Sequence, residues 1–377
     1  MEAKTTDIIT LLSSADKFEI PVFQRSFSWG KIHWEQLFSD IGSILRNKKI
    51  SSHFYGIFVL KPDKNNFTYF TLIDGQQRLI AISLLICALC DFFAAKKHKE
   101  ALLLSLQGKA KLPKIVFRIP EFSSYLSVLS DKKFAQIDNS IFAEAYRYFY
   151  ARIKNEKYEL EDYFLTLRKF EIVKVTLNTK DNPQLIFDSL NSTGKALNLF
   201  ERTKNYILMG ISAAQQDNIY KNYWTTLETS FSNDEALFEK FMCAYLSVNT
   251  LNNVEVKNIS NEFNKFYNYK RNYKTAEEII AEFVKFSQYF LRIQKADFIP
   301  ELANTIRQIN AMGTEEVYPF LLEIVDDFEN NLISREVFLD ILNNTLQYII
   351  TRQAANEEVI DFRKLSKNIG KMIAKPT

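Results

Sequence analysis

Ile73-Asp74-Gly75-Gln76-Gln77-Arg78-Leu79 stands between two segments of opposite character. Upstream, Phe67 to Ile73 is aromatic and β-branched, which suits a strand; downstream, Leu79 to Phe93 is almost wholly apolar and too long for one. Gly75 therefore falls at a strand-to-helix junction. The free N–H groups of a first helical turn, with the positive end of the helix dipole, favour an anion there. Arg78 strengthens this reading, because a cation in the first turn opposes the dipole unless an anion such as phosphate lies between them. A second reading is purely structural. Asp74 with Gln77 three residues on forms a capping box, and Asp74 with Arg78 forms an i, i+4 pair worth about 0.3–0.5 kcal/mol. The local sequence leaves both open.

Outward from this junction, Phe54 to Leu60 reads as a second strand, joined to the first by the polar turn Pro62 to Asn66, so the two are expected as a hairpin. Earlier, Thr6 to Leu12 reads as a short helix opened by Thr5 or Thr6, Phe18 to Pro21 as extended, and Trp34 to Leu45 as helical. Later, Ile115 to Ile119 and Phe170 to Leu177 read as strands, Phe142 to Lys154 as a helix, and Pro183 to Leu190 as a helix interrupted at Asn191-Ser192-Thr193-Gly194. Gly194 is expected to supply a φ > 0 position. From Glu201 the pattern is helical throughout, clearest at Phe238–Val248, Ala276–Phe290, Val317–Phe328 and Ser334–Gln353. The fold class is thus α+β, with a mixed α/β domain over residues 1–210 and an all-helical domain over 211–377.

At 377 residues two domains are the natural expectation. Hydrophobic content of 47%, charged content of 25%, and only 9 Gly and 8 Pro exclude a chain dominated by disorder. The net charge of +3 forces no nucleic-acid partner on global electrostatics, so any such contact must come from local patches. Phe at 32 and Tyr at 18 residues supply core, with some aromatics available as stacking platforms. Cys87, Cys90 and Cys243 make no disulfide framework and no leader sequence opens the chain, so a reducing cytoplasm is expected. Cys87-Ala88-Leu89-Cys90 matches C-x-x-C but lies inside the apolar run with no second ligand pair, which points to packing rather than metal. That run is also shorter than the roughly 20 residues of a membrane span.

Two further segments share the polar character of the junction. In Ile20-Pro21-Val22-Phe23-Gln24-Arg25-Ser26-Phe27-Ser28-Trp29, Pro21 holds the backbone extended, Gln24 and Arg25 reach past the sheet edge, and Phe27 and Trp29 alternate as anchors. The plain alternative is a surface strand. The third is Ile186-Phe187-Asp188-Ser189-Leu190-Asn191-Ser192-Thr193-Gly194-Lys195-Ala196-Leu197, followed by Glu201, Lys204 and Asn205. Its plain alternative is a helix end capped by a turn.

Together these segments resemble the N-terminal domain of the GmrSD-type modification-dependent restriction systems, similar in fold to the ParB and sulfiredoxin nucleotide-binding domains. The resemblance runs from about Thr6 to about Asn205 and includes His53-Phe54-Tyr55-Gly56 ahead of the central strands. It implies a nucleotide-binding, NTP-hydrolysing regulatory component of a DNA restriction or anti-phage defence system. The cofactors implied are a nucleoside triphosphate, GTP, UTP or another, with Mg²⁺; no protein metal site is implied. Asp74 and Arg78 are the catalytic candidates. Gln24, Arg25, Gly75, Gln76, Gln77, Arg78, Asn191, Thr193 and Gly194 are the nucleotide-binding candidates. Gly75 would let the backbone approach a phosphate, the N–H groups of Gln76 and Gln77 would donate to it, and Arg78 would neutralise it. Gln24 and Arg25 would close the site, and Asn191 would contact base or ribose or orient a water. For Asp74, capping with an indirect role in Mg²⁺ or water positioning is favoured. The alternatives are a non-hydrolysing nucleotide-bound module and a nucleotide-independent DNA-binding module.

The partners implied are DNA, including modified DNA, and a nuclease. Many such proteins carry a His-Asn-His nuclease after this region, whereas His33, His53 and His98 are this chain's only histidines and none follows residue 98. That nuclease is expected on a separate chain or beyond a fragment's end, since the helix-like Asp361–Ala374 is followed at once by Lys375-Pro376-Thr377. DNA contact is expected at Lys96–Lys99, Lys109–Lys114 or Lys265–Lys274, the last interleaved with Tyr267, Tyr269 and Tyr273. A solvated basic face is the simpler account of any one stretch.

Overall fold

The junction forms as expected: β3 (His53–Pro62) and β4 (Tyr69–Asp74) pair antiparallel, and α3 (Gln76–Phe92) leaves β4 after one residue, Gly75. The structure is a computed structural model describing residues 1–357 except 65, 67, 94–97, 108–111, 119–121, 130–138, 179, 182, 192–196, 232–233 and 251–253; at 185, 188, 190 and 191 it describes the backbone alone. The chain divides into two compact units, Met1–Ala196 and Leu197–Thr377.

The first unit is a mixed sheet with helices. Around the hairpin lie β1 (Glu2–Asp7), α1 (Ile8–Ser14), β2 (Lys17–Ile20) and α2 (Lys31–Arg46), then α4 (Lys99–Leu106), β5 (Ile115–Phe117), α5 (Phe122–Leu129), α6 (Ile141–Lys154), α7 (Leu160–Leu167), β6 (Phe170–Thr176) and α8 (Pro183–Asn191). The sheet order is β1-β6-β3-β4-β2-β5, antiparallel at β1/β6 and β3/β4 and parallel elsewhere. Because α3 is apolar on every face, it must be enclosed on every face. It is buried from Leu79 through Cys90 and packs against α4, α5 and α6. Cys87 and Cys90 belong to this core, where burial pushes the Cys90 thiol up to about 12, far from thiolate chemistry.

The N-terminus departs from the sequence reading. Residues 2–7 form the edge strand β1 rather than leading into a helix, and α1 is capped by Asp7, not by Thr5 or Thr6. The Asp7 carboxylate accepts from the Thr10 N–H at 2.9 Å. Periodicity missed β1 because its polar residues carry no apolar alternation; pairing with β6 supplies the order that local sequence lacks.

The second unit is helical: α9 (Leu199–Met209), α10 (Ala213–Ile219), a π-helical turn Tyr220–Trp224, α11 (Thr225–Phe231), α12 (Glu235–Thr250), α13 (Ile259–Arg271), α14 (Ala276–Lys295), α15 (Pro300–Ala311), α16 (Tyr318–Glu329) and α17 (Arg335–Ala354). Its core is aromatic. Phe238, Phe241 and Tyr245 of α12 pack edge-on against Phe283 of α14. No helix among the described residues is long and apolar enough to cross a membrane.

In two of the basic stretches one of the expected contact residues is buried. Tyr267 is a core residue 6% exposed, not a free ring. Lys114 is buried, its ammonium donating to the Leu12 carbonyl at 3.0 Å. Burial holds the Lys114 ammonium below the ordinary 10.5, with Asp16 acting in the opposite direction. The folded chain therefore binds that proton less tightly than the unfolded chain. Its cost is fully present below the folded value and is relieved as pH rises toward 10.5. Thermal unfolding of wild type and Lys114→Met across this alkaline range should show the wild type gaining on the variant as pH rises; a constant difference would contradict the assignment.

Candidate functional site

Three glutamines join the extended segment Gln24–Trp29 to the β4–α3 junction. Gln24 donates through Nε2 to the carbonyls of Leu72 and Ile73, at 3.2 and 2.8 Å, where β4 ends. Gln76 donates to the Arg25 carbonyl at 2.8 Å, and Gln77 to the Ser26 carbonyl at 3.0 Å. The Gln77 Oε1 also accepts from the N–H groups of Ser28 and Trp29, at 2.8 and 3.2 Å. All three side chains are buried, so these bonds replace water that the amides have lost. The segment is also anchored by packing: Phe27 stacks on Phe142 of α6, with ring centroids 5.4 Å apart. Trp29 remains half-buried and stacks on the exposed His33 ring.

This arrangement revises the expected capping box. The N-cap of α3 is Gly75, not Asp74, and no side chain caps the helix. Gln77 cannot close a box because its amide is committed to Ser26, Ser28 and Trp29. Asp74 is the last residue of β4, paired with Val59, and its carboxylate lies 3.3 Å from Arg78 Nη2. The first N–H groups of α3 are thus left without a side-chain acceptor, which is the condition an anion site requires.

Gly75 is needed twice over. Its φ of +100° is a left-handed conformation, and an added Cβ would stand 2.7 Å from the Phe58 ring. The close approach is to β3, so glycine here has a structural reason besides any ligand.

Arg78, whose place in the first turn opposed the dipole, has protein partners. Besides Asp74 its Nη2 donates to the Ile57 carbonyl at 2.8 Å, and the guanidinium lies over the Phe58 ring at 5.6 Å. The side chain passes over Gly56, where a Cβ would fall 3.0 Å from Nε. Gly56, at φ +129°, sits at a register irregularity between β3 and β6. Tyr55 donates to the Arg78 carbonyl at 2.9 Å, and its burial pushes the phenol's pKa up, so it stays protonated. These β3 contacts were missed by sequence reasoning; the Gly56 flanked by bulky strand residues was the available signal.

Arg25 behaves differently. It is half-buried, and its guanidinium has no hydrogen-bond or ion-pair partner among the described residues, though its own carbonyl is held by Gln76. Gln76 Oε1 is likewise buried without a partner. The third segment approaches through α8, which lies against β4. Asn191 ends that helix with only its backbone described, and Thr193 and Gly194 lie outside the described residues. Glu201, Lys204 and Asn205 are in the helical unit, where Glu201 completes a capping box with Asn198 and Lys204 pairs with Glu228 at 3.2 Å. Among the described residues no group of three or more His, Cys, Asp or Glu side chains is placed to hold a metal.

Gln77→Ala removes three hydrogen bonds at once and is expected to cost about 2–3 kcal/mol in denaturant unfolding, with faster amide exchange at Ser28 and Trp29. Gly75→Ala combines a left-handed strain with overpacking against Phe58 and should cost about 2–4 kcal/mol in the same measurement.

The family model described as the N-terminal domain of GmrSD restriction endonuclease matches residues 8–208, more than half of the chain, including the glutamine-clamped segment, the β4–α3 junction and α8. No curated protein matches the chain. With that span covered, the chain belongs to the family of GmrSD restriction endonuclease N-terminal domains.

Proposed function

We propose that this chain is the nucleotide-hydrolysing regulatory component of a DNA restriction system, with a nucleoside triphosphate held at the N-terminus of α3. The observation that carries the reading is an uncapped helix start at Gly75 with an arginine, Arg25, that has no partner among the described residues yet is tied by its backbone to Gln76. An uncapped N-terminus and an uncommitted guanidinium are complementary to phosphate oxygens. The N–H groups of Gln76, Gln77 and Arg78 bind the terminal phosphates, and Arg25 neutralises them. Arg78 acts as a positioning residue, since its Nη2 already holds both Asp74 and the Ile57 carbonyl, while its buried Nε has no partner among the described residues. The buried Gln76 Oε1 suits a hydroxyl or water donor.

Asp74 fits Mg²⁺ in kind: it is a partly exposed carboxylate beside the phosphate position, and Mg²⁺ is commonly held by one or two carboxylates with substrate phosphates completing its shell. When bound, the ion would neutralise charge on the phosphates. Asp74 also orients the attacking water. The new P–O bond forms as the bridging bond of the terminal phosphate breaks, releasing inorganic phosphate and nucleoside diphosphate, with the water's proton passing to phosphate oxygen or carboxylate. The consequence for restriction is a change in the nucleotide-bound unit that the nuclease reads, on this chain's extension or on a partner.

One observation favours a second reading. The ties made by Gln24, Gln76 and Gln77 account for those residues without any ligand, so the segment also works as a structural latch in a nucleotide-independent module.

Phosphate release with Mg²⁺ from each of the four nucleotides separates the two. Arg25→Ala should lower kcat/KM about 100-fold without loss of folding, and Asp74→Asn should lower kcat more than it changes KM. Turnover of no nucleotide by wild type, or equal turnover by wild type and Arg25→Ala, would favour the latch.

A further inference from the structure

We infer that the exposed end of α13 is a stacking platform for unpaired nucleobases. The inference draws its biological sense from the chain's place in a restriction family but does not depend on the nucleotide site.

Tyr269 and Tyr273 are 63% and 75% exposed, with ring centroids 5.5 Å apart and planes at 62°. The aromatic needs of this part of the core are met elsewhere on the helix, by Phe263, Phe266 and Tyr267, all buried. Two large rings left in water beside each other are therefore not explained by packing. The steep angle between them gives each ring a face of its own, so each can take one base.

The charge around them suits a polyanion. Lys270, Arg271 and Lys274 flank the tyrosines along the chain, the Lys270 ammonium lying 5.4 Å from the Phe266 ring centroid, and Glu282 answers two of them, 2.6 Å from Lys274 and 3.8 Å from Lys270. The Arg271 guanidinium donates to the Lys274 carbonyl at 3.1 Å, a bond that leaves its charge uncompensated. Glu278 caps α14, accepting from the Thr275 N–H at 2.7 Å, and its carboxylate also faces Lys274, while Lys265, one turn before Tyr269, is matched by Glu262 at 2.8 Å. Three cations, Lys270, Arg271 and Lys274, against two carboxylates, Glu282 and Glu278, leave a net positive charge at this end of the helix. Cations that track a backbone beside aromatic faces are the elements of single-strand binding, in which each stacked base is worth about 1–3 kcal/mol. A duplex buries its base faces and would use only the cations, so the rings point to unpaired bases in single-stranded or locally opened DNA.

The test is fluorescence anisotropy with a labelled oligothymidylate of about 12 nucleotides and a duplex of equal length, at two salt concentrations, with neither Mg²⁺ nor nucleoside triphosphate present. The expected result is tighter binding of the single strand, weakened by salt and weakened about tenfold or more in the Tyr269→Ala/Tyr273→Ala double variant. The Tyr269→Phe/Tyr273→Phe variant, which keeps both faces, should bind within about twofold of wild type. Circular dichroism and phosphate release by the double alanine variant should match wild type, which separates this outcome from failure of the nucleotide reading. Absence of single-strand binding at low salt, equal binding of duplex and single strand, or affinity unchanged in the double alanine variant would overturn the inference. So would self-association lost in that variant without any oligonucleotide binding, which would assign the rings to a protein contact.

Discussion

Everything at the candidate site depends on burying three primary amides and satisfying them against one extended segment. Gln24, Gln76 and Gln77 are 3%, 5% and 6% exposed, so each must find partners inside the protein or lose about 1–3 kcal/mol per orphaned group. They find them in the backbone of residues 25–29 and the last carbonyls of β4. Backbone partners, unlike side chains, cannot swing away. The segment is consequently fixed in register against the start of α3, and Arg25 is presented at a defined place along it.

The same constraint explains why the helix start is bare. With Gln77 turned to the segment and Asp74 turned to Arg78, neither residue that could cap α3 is free to do so. Gly75 turns the chain in a left-handed conformation that packs against Phe58, and Arg78 is pinned over Gly56 on the neighbouring strand. The first N–H groups of α3 thus have no side-chain acceptor among the described residues. Such a bare start is shared by α2, α15 and α16, so what sets α3 apart is its place beside Arg25 and the glutamine-held segment.

Much of this was legible in the sequence, and the failures have physical causes. The junction, the hairpin and α3 followed from apolar length and turn chemistry, and the helical second unit from periodicity at Ala276–Phe290 and Ser334–Gln353. The edge strand β1 was hidden because its order comes from β6, more than 160 residues away. The roles within the motif were the hardest to read. Gln77 three residues after Asp74 has the spacing of a capping box, and only the tertiary contact with Ser26–Trp29 shows that the amide is used elsewhere. Arg78 was singled out for opposing the helix dipole, yet Asp74, the Ile57 carbonyl and the Phe58 ring compensate it. Arg25, less conspicuous in the sequence, is the arginine of the site whose guanidinium has no partner among the described residues.

The central claim is that the first turn of α3 and the segment beside it form one phosphate-binding surface. The most direct test is a titration of isotope-labelled protein with each nucleoside triphosphate, following backbone amide resonances. The account predicts saturable shifts concentrated at Gln76, Gln77 and Arg78 and at Arg25 to Trp29, as N–H groups exchange water for phosphate. Saturable shifts confined to other parts of the chain, or no shifts at any nucleotide concentration, would contradict it.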